Sequence, residues 1–550
     1  MTNYLKAIFN RDQTPQSLPI PGAGQVPNSA GGYAWAVDDW ARLDRFLILG
    51  SEGGSYYVTE QALSRENAEA VARCIAADGP RTVGRIAEIS DSGRAARNDP
   101  ALLALAMAAA LGDSPTRRAA FAALPRVARI GTHLFHFAAY MQGLRGWGRG
   151  PRRAVAAWYQ GLPAGKLAYQ AIKYQNRDGW GHRDLLRLAH PTATDETQNA
   201  VFHWITQGWP DVGAEPHPDE ALRLIWAFER AKQAQSVAEV AGLIRAYRLP
   251  REAIPTERLS DREVWAALLD DMPLTAMIRN LATMTRIGLL TPMSEAAGVI
   301  AAELTDRGRL SAARVHPIAI LAALTTYQSG RGVRGQGQWD PVGQVADALN
   351  EAFYLAFGNV TPANRRIVLA LDVSGSMASG AVAGVPGLTP RVGSAAMALV
   401  TAATEPQHTI VAFTRGDYPS VWSSMGFGSG ITPLDISPRQ RLDDVVQTVS
   451  NLPFGGTDCA LPMLWALENG VAADAFVIYT DSETWAGDIH PAQALRQYRE
   501  RTGIPARLVV VGMVSSGFSI ADPNDAGMLD VVGFDTATPD MIAAFVRGEI

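Results

Sequence analysis

The sequence predicts a two-part chain: an all-α half, then an α/β half with a doubly wound, mostly parallel sheet. Three observations carry this. From Tyr33 to about Gly358, Ala, Leu and Arg dominate a helical pattern broken by Gly and Pro clusters, with little β-type alternation. After Asn359-Val-Thr-Pro-Ala363 the period switches, and short apolar runs alternate with helical stretches, as in a parallel sheet covered on both faces. The first of these runs, Ile367 to Leu371, ends abruptly in Asp372, Ser374 and Ser376, as a buried strand ends in a polar loop.

At 550 residues the chain is too long for one ordinary core. With 47% hydrophobic and 19% charged residues, it has the composition of a folded protein. Two cysteines, Cys74 and Cys459, cannot make a disulfide framework or a cysteine zinc site, and favour a reducing compartment. Met1 to Lys6 lacks the charged start and apolar run of a signal peptide. The apolar run Ala101 to Leu111 falls short of the roughly 20 residues that a bilayer span needs. A cytoplasmic protein with no membrane partner is expected. The net charge of −5 means that any nucleic-acid binding must use a local patch. Lys6, Lys166, Lys173 and Lys232 are the only lysines, so that patch must be mostly arginine. A GC-rich genome would produce the same bias.

In order, residues 1–32 hold Pro15, Pro19, Pro21 and Pro27 and read as an extended arm rather than a packed element. Asn98-Asp-Pro100 starts a helix through Ala101 to Leu111, and Ser114-Pro-Thr-Arg starts the next. Glu263 to Leu269 and Val315 to Tyr327 are further helices. No fixed period emerges, so spacing alone does not establish a repeat array. The expected division is residues 1–361, including the arm, and residues 362–550. In the second part the strands are Arg366–Leu371, His408–Phe413, Ala475–Thr480 and Ala506–Gly512. The helices between them are Val392–Thr404, Pro438–Leu452, Ala460–Asn469 and Pro491–Arg501.

Asp372, Ser374 and Ser376 offer one carboxylate and two hydroxyls at a strand's carboxyl end, where open α/β sheets place ligands. Alone, the pattern also suits a plain βα turn with Asp372 capping a helix. Thr457, after Gly455-Gly456, and Asp481, directly after the run Ala475 to Thr480, occupy later loops in the right order. The five hard oxygen donors suit an octahedral Mg²⁺, with room for water or a partner's carboxylate. This half resembles the von Willebrand factor A domain and its metal-ion-dependent adhesion site, a Rossmann-like fold. That resemblance implies Mg²⁺ held by these five residues, some through water. Catalysis is not supported. An aspartyl-phosphate enzyme would want a second acid at Ser374, neither serine sits in Gly-x-Ser-x-Gly, and Gly161 to Lys166 has the wrong spacing for a phosphate loop.

The helical half is most informative from Arg145 to His190. There Arg145, Arg149, Arg152, Arg153, Lys166, Lys173, Arg177, Arg183 and Arg187 face only Asp178 and Asp184. This is the footprint of a polyanion-binding surface or of a solvated basic face. A helix from about Leu167 would put Lys173 and Arg177 on one side, and Arg183 and Arg187 share a face of the next helix. Trp158, Tyr159 and Trp180 could stack bases, but for the tryptophans a place in the core is the commoner role. His182 could donate to a phosphate or base edge.

Several long motifs in this half resemble the Ro autoantigen family. They are Trp147 to Tyr159, Ala171 to His190, Arg45 to Tyr57, Asp271 to Asn280, Arg314-Val-His-Pro317 and Gly330 to Gly335. Gly455 to Met463 and Asp522 to Asp530 continue the likeness into the second half. The resemblance implies a TROVE module, a closed, monomeric ring of HEAT-like helical repeats, joined to the von Willebrand domain. It also implies binding of small noncoding Y-like RNA on the outer surface and of the single-stranded 3′ ends of misfolded RNA through the hole. An exoribonuclease would be the partner in RNA maturation or decay, and no DNA is expected. The contacts carry over best to Lys173, Arg177, His182, Arg183 and Arg187, with Arg149, Arg152, Arg153 and Lys166 beside them. A second reading is a metal-dependent protein-interaction module that the helices merely present.

Overall fold

The computed structural model describes residues 13–549 apart from 37, 50–59, 93–96, 210–212, 214, 314, 316, 333–336, 380–381, 383–387, 416–429, 453–454, 514–517 and 533–537. Parts of the Arg45–Tyr57, Arg314–Pro317 and Gly330–Gly335 motifs therefore lie outside the described residues. The chain forms two compact units. One is Ala68–Val315 with Ala323–Ala352, and the other is Met1–Asn67, His316–Ala322 and Phe353–Ile550.

The first unit is helical, and each helix packs mainly on helices one to three places away in sequence, as stacked repeats do. Asp99–Leu111 is apolar on nearly every side, and Ala101, Leu102 and Ala104 to Ala109 are all buried. A helix of that kind belongs in the middle of its unit. Short acceptor side chains start many of the others. Asp113 accepts from the Thr116 amide at 2.9 Å, Asp195 from Gln198 at 2.7 Å and Asp219 from Leu222 at 3.1 Å. Buried amides tie neighbouring helices together: the Gly131 amide donates to Gln170 Oε1 at 2.9 Å, and Gln198 Nε2 donates to the Leu162 carbonyl at 2.9 Å.

The second unit is built on a six-stranded sheet. Its order is Met528–Val532, Arg507–Gly512, Ala475–Thr480, Ile367–Asp372, His408–Phe413, Ile431–Leu434. All pairs are parallel except the last, where Ile431–Leu434 runs antiparallel along the edge. Ile367–Asp372 and Ala475–Thr480 are buried at every residue. Val368, Ala370, Phe476, Ile478 and Val510 pack on one face with Met463 and Tyr498. Full burial of each large side chain stabilises the fold by about 1.5–3 kcal/mol. The chain leaves Ile367–Asp372 toward one neighbour and later returns to the other side, so the order reverses between Ile367–Asp372 and Ala475–Thr480. Such a reversal opens a crevice above the strand ends.

Two expectations are corrected. Residues 13–36 are not a loose arm of the helical half but part of the α/β unit. Val26–Pro27 pairs with Tyr33–Ala36, which pairs in turn with Phe518–Ser519. Gln16 and Asn28, polar residues of the stretch expected to be an unpacked arm, are buried. The helix expected to carry both Lys173 and Arg177 ends at Lys173. Asn176–Arg177 and Trp180–Gly181 instead form a hairpin, turned by Asp178 (φ 52°) and Gly179 (φ 79°). Asp-Gly at two positive-φ positions is a favoured hairpin turn, and it overrides the helical spacing.

Candidate functional site

In the helical unit the expected cations lie on two helices, one hairpin and one further helix. Helix Arg149–Gln160 buries Pro151, Ala154, Val155, Trp158 and Tyr159, which turns Arg149, Arg152 and Arg153 outward. Helix Ala164–Lys173 buries Leu167, Ala168 and Ile172 and leaves Lys166 exposed. Helix His182–Ala189 buries Leu185 and Leu186 and exposes Arg183 and Arg187 four apart. Neither of the first two helices has an acidic residue in its first turn, where Arg149, Arg152 and Lys166 stand. Cations at that positive end destabilise a helix by roughly 0.3–1 kcal/mol, so the fold gains nothing from them there. Among the described residues, the side chains of Arg149, Arg152, Arg153, Lys166 and Arg183 make no ion pair or hydrogen bond.

Lys173 is half-buried. Its Nζ donates to the Tyr169 hydroxyl at 3.2 Å and lies near the Tyr169 and Tyr174 rings. Burial alone would lower its pKa, but the Tyr169 hydroxyl and the charges around it outweigh that and raise it, so the ammonium stays charged. The Arg177 side chain is 62% exposed. Its hairpin is held by Asp178, whose Oδ2 is 2.5 Å from His136 Nδ1.

His182 is the exception. It is 3% exposed, packed against Phe135, Trp158 and Tyr159, with Nδ1 2.8 Å from the Tyr159 hydroxyl. Burial pushes its imidazole down to about 4, so it is neutral at pH 7. A surface contact to phosphate is therefore withdrawn for His182; it braces the helix beneath the arginines. The histidine of this stretch that is exposed is His190, which closes helix His182–Ala189 in the left-handed conformation at φ 47°. Trp158 is core, its Nε1 donating to the Ala128 carbonyl at 2.5 Å, while Trp180 is half-buried against Trp147.

Two clefts border the Lys173–Arg183 segment, and sequence reading missed both. One, of about 540 Å³, brings Arg245, Arg248 and Arg251 beside Lys173 and Tyr169. Arg245 Nε pairs with Asp270 at 2.9 Å and Arg248 Nε with Asp271 at 3.2 Å. The other, of about 480 Å³, gathers Asn176, Arg183, Thr206, Gln207 and Lys232. No local motif marks Arg245, Arg248, Arg251, Thr206, Gln207 or Lys232, because distant helices deliver them.

In the α/β unit the five expected oxygen donors fall on three loops at the sheet's reversal point. Asp372 and Asp481 end or follow adjacent strands, and the register sets Asp372 beside Thr480, whose hydroxyl donates to Asp372 Oδ2 at 2.7 Å. The Ser374 amide donates to Asp372 Oδ1 at 2.8 Å, and the Ser374 and Ser376 hydroxyls lie 3.1 Å apart. Asp372, Ser374, Thr457 and Asp481 are all buried. Burial, and then the nearby charge of Asp481, raises the Asp372 carboxyl above its ordinary range, and burial raises Asp481 too. Glu483, which sequence reading passed over, is also buried, and burial and Asp481 push it up to about 7.

Among the described residues no three His, Cys, Asp or Glu side chains converge as a metal-holding group. The candidate set has only two carboxylates, and hydroxyls supply the rest. Desolvated carboxylates next to hydroxyl oxygens fit a hard divalent cation, which would remove the penalty on both acids.

A stacked helical unit with a cationic surface, joined to a sheet whose switch point carries adhesion-type oxygen loops, defines a class of two-part binding protein. Comparison with known proteins finds two families in succession along the chain. The TROVE domain family matches residues 26–326 and the Ro60 vWA domain family matches residues 366–546. The chain is similar to the RNA-binding protein RO60 of Deinococcus radiodurans, at 45% identity over the full length of both chains. It is also similar to the RNA-binding protein RO60 of Caenorhabditis elegans, at 35% identity over 98% of this chain and 92% of that one. The crystal structure of the Deinococcus radiodurans RO (RSR) protein superimposes with a TM-score of 0.72, at 44% identity, covering 93% of this chain and all of that one. The chain belongs to the Ro60 family, with a TROVE domain followed by a vWA domain.

Proposed function

We propose that the protein, whose relatives are named RNA-binding proteins, binds structured RNA on the cationic surface of its helical unit. The observation that carries this is the set of exposed cations, Arg149, Arg152, Arg153, Lys166, Arg177, Arg183 and Arg187, several at helix ends where they cost stability. Arginine's planar fork suits phosphate, and the two clefts beside them offer donors and acceptors to unpaired bases. Small Y-like noncoding RNAs and the 3′ ends of misfolded RNAs are the ligands this reading favours. The protein then acts as a non-catalytic cytoplasmic scaffold in RNA maturation or decay, with an exoribonuclease as its partner. Sequencing the RNAs that co-purify at two salt concentrations tests it. Enrichment of structured RNAs that thins at the higher salt supports the reading, and recovery of no RNA at either concentration contradicts it. Clean cleavage of RNA by the purified protein with Mg²⁺ would overturn the scaffold role.

The sheet site supports a second activity compatible with the first. Asp372, Ser374, Ser376, Thr457 and Asp481 would hold Mg²⁺, which supplies a Lewis-acidic position for a protein partner's carboxylate. Asp372→Ala should abolish Mg²⁺-dependent partner binding and leave RNA affinity unchanged; equal loss of both would merge the two sites.

A further inference from the structure

We propose that the N-terminal segment is a working part of the cation site, with Gln16 as its positioning residue. This rests on the Mg²⁺ reading of the sheet loops. Gln16 is 0% exposed, although it stands in a proline-rich stretch. Its side chain lies between two of the three loops that carry the oxygen donors. Nε2 donates to Asp458 Oδ1 at 2.7 Å, next in the chain to Thr457, and to the Ile489 carbonyl at 2.8 Å. Oε1 accepts from the Thr484 hydroxyl, three residues after Asp481. Its backbone is tied in as well, the amide donating to the Gly487 carbonyl at 2.8 Å and the carbonyl accepting from the Tyr33 amide at 2.8 Å.

The rest of the segment closes on the same loop. Asn28 Nδ2 donates to the Thr484 carbonyl at 2.7 Å, and the Ala30 amide donates to Glu483 Oε2 at 3.2 Å. Gly32 lies so close that a methyl group there would overlap the Thr484 carbonyl and Trp485. The Thr457 carbonyl accepts from the Trp485 and Ala486 amides at 3.1 Å each, so the two later loops and the segment form one hydrogen-bonded body. An unpacked arm needs none of this.

Thr457 and Asp481 sit on loops with no covalent link shorter than a helix and a strand, yet both must present oxygens to one ion. A buried primary amide can hold them by donating to one loop and accepting from the other. Leucine of similar size can do neither. Outer-shell hydrogen bonds of this kind orient metal ligands, and their loss typically costs about 10–100-fold in metal affinity. Coupling is reciprocal: if the segment sets cation affinity, the cation must steady the segment.

The test uses the full-length protein with Mg²⁺ alone, titrated calorimetrically, and hydrogen exchange at residues 14–33 with and without the ion. In the wild-type chain Mg²⁺ should slow exchange across 14–33 as well as 481–487, and Asp372→Ala should lose both the binding and the slowing. Gln16→Leu should weaken Mg²⁺ binding by about ten-fold or more, with RNA affinity unchanged. Gly32→Ala, which pushes the segment off the loop without touching Gln16, should act in the same direction. If Gln16→Leu and Gly32→Ala bind Mg²⁺ like wild type while Asp372→Ala does not, the segment has no positioning role. Exchange at 14–33 that ignores saturating Mg²⁺ overturns the proposal even where a variant fails to fold. No Mg²⁺ binding by the wild-type chain, or full binding by Asp372→Ala, would refute the cation site and this inference with it.

Discussion

The two candidate surfaces are built in opposite ways. The helical one displays its chemistry: arginines stand in solvent, and many lack a protein partner among the described residues. The sheet site hides its chemistry: four of its five expected oxygen donors are buried, and a glutamine 442 residues before Asp458 helps hold them. A long flexible polyanion can be met by many weak exposed contacts, each replaceable. A single small ion needs a few donors fixed in place. Damage to the first surface should therefore be graded, and damage to the second abrupt.

The largest expected effect is the abrupt one. Asp372→Ala should leave no Mg²⁺ binding measurable by calorimetry, while RNA affinity in a filter-binding assay stays within a factor of about two, as expected for sites without shared partners. Next come the arginines. Arg177→Ala or Arg187→Ala should each cost about 1–3 kcal/mol of RNA binding, and the double variant roughly the sum. An all-or-none loss from one of them would break the contrast.

His182 sharpens it from beneath the surface. Its folded pKa of about 4 lies below the ordinary 6.5. The unfolded chain therefore takes up the proton first as pH falls. The stability is fully present above about pH 6.5 and is lost toward pH 4. Between pH 7 and pH 5 this amounts to about 2 kcal/mol, at about 1.4 kcal/mol per unit. Urea melts at the two pH values should show the loss in wild type and a clearly smaller one in His182→Gln. At pH 7 the variant should keep most of its RNA affinity, since the ring is buried. The smallest effect is a capping one: Asp219→Ala should destabilise the helical unit by about 1 kcal/mol and leave both binding activities alone.

Much of this was legible in the sequence, unevenly. Strands His408–Phe413 and Ala475–Thr480 were readable to the residue because buried parallel strands are unbroken apolar runs between polar loops. The edge strand Ile431–Leu434 was not, since it is short and holds Pro433. The oxygen donors could be found because each follows a recognisable element. Gln16 could not, because nothing local in a proline-rich stretch signals burial against residues more than 400 positions away. The arginine stretch was legible as charge, but not its backbone: helical spacing linked Lys173 to Arg177, whereas Asp178-Gly179 was the stronger signal and makes a hairpin. His182 and His190 illustrate the limit. Both fall in one motif, and only packing shows that the first is buried and the second exposed.

The most direct test of RNA binding on the helical surface is the salt dependence of affinity for one structured RNA with a single-stranded tail. It compares wild type with the Arg177→Ala, Arg183→Ala, Arg187→Ala triple variant. Each phosphate contact removed should lower the slope of log K against log salt by about 0.7–0.9, so the triple variant should bind more weakly with a slope reduced by about 2 to 3. An unchanged slope with unchanged affinity would place the RNA elsewhere on the molecule.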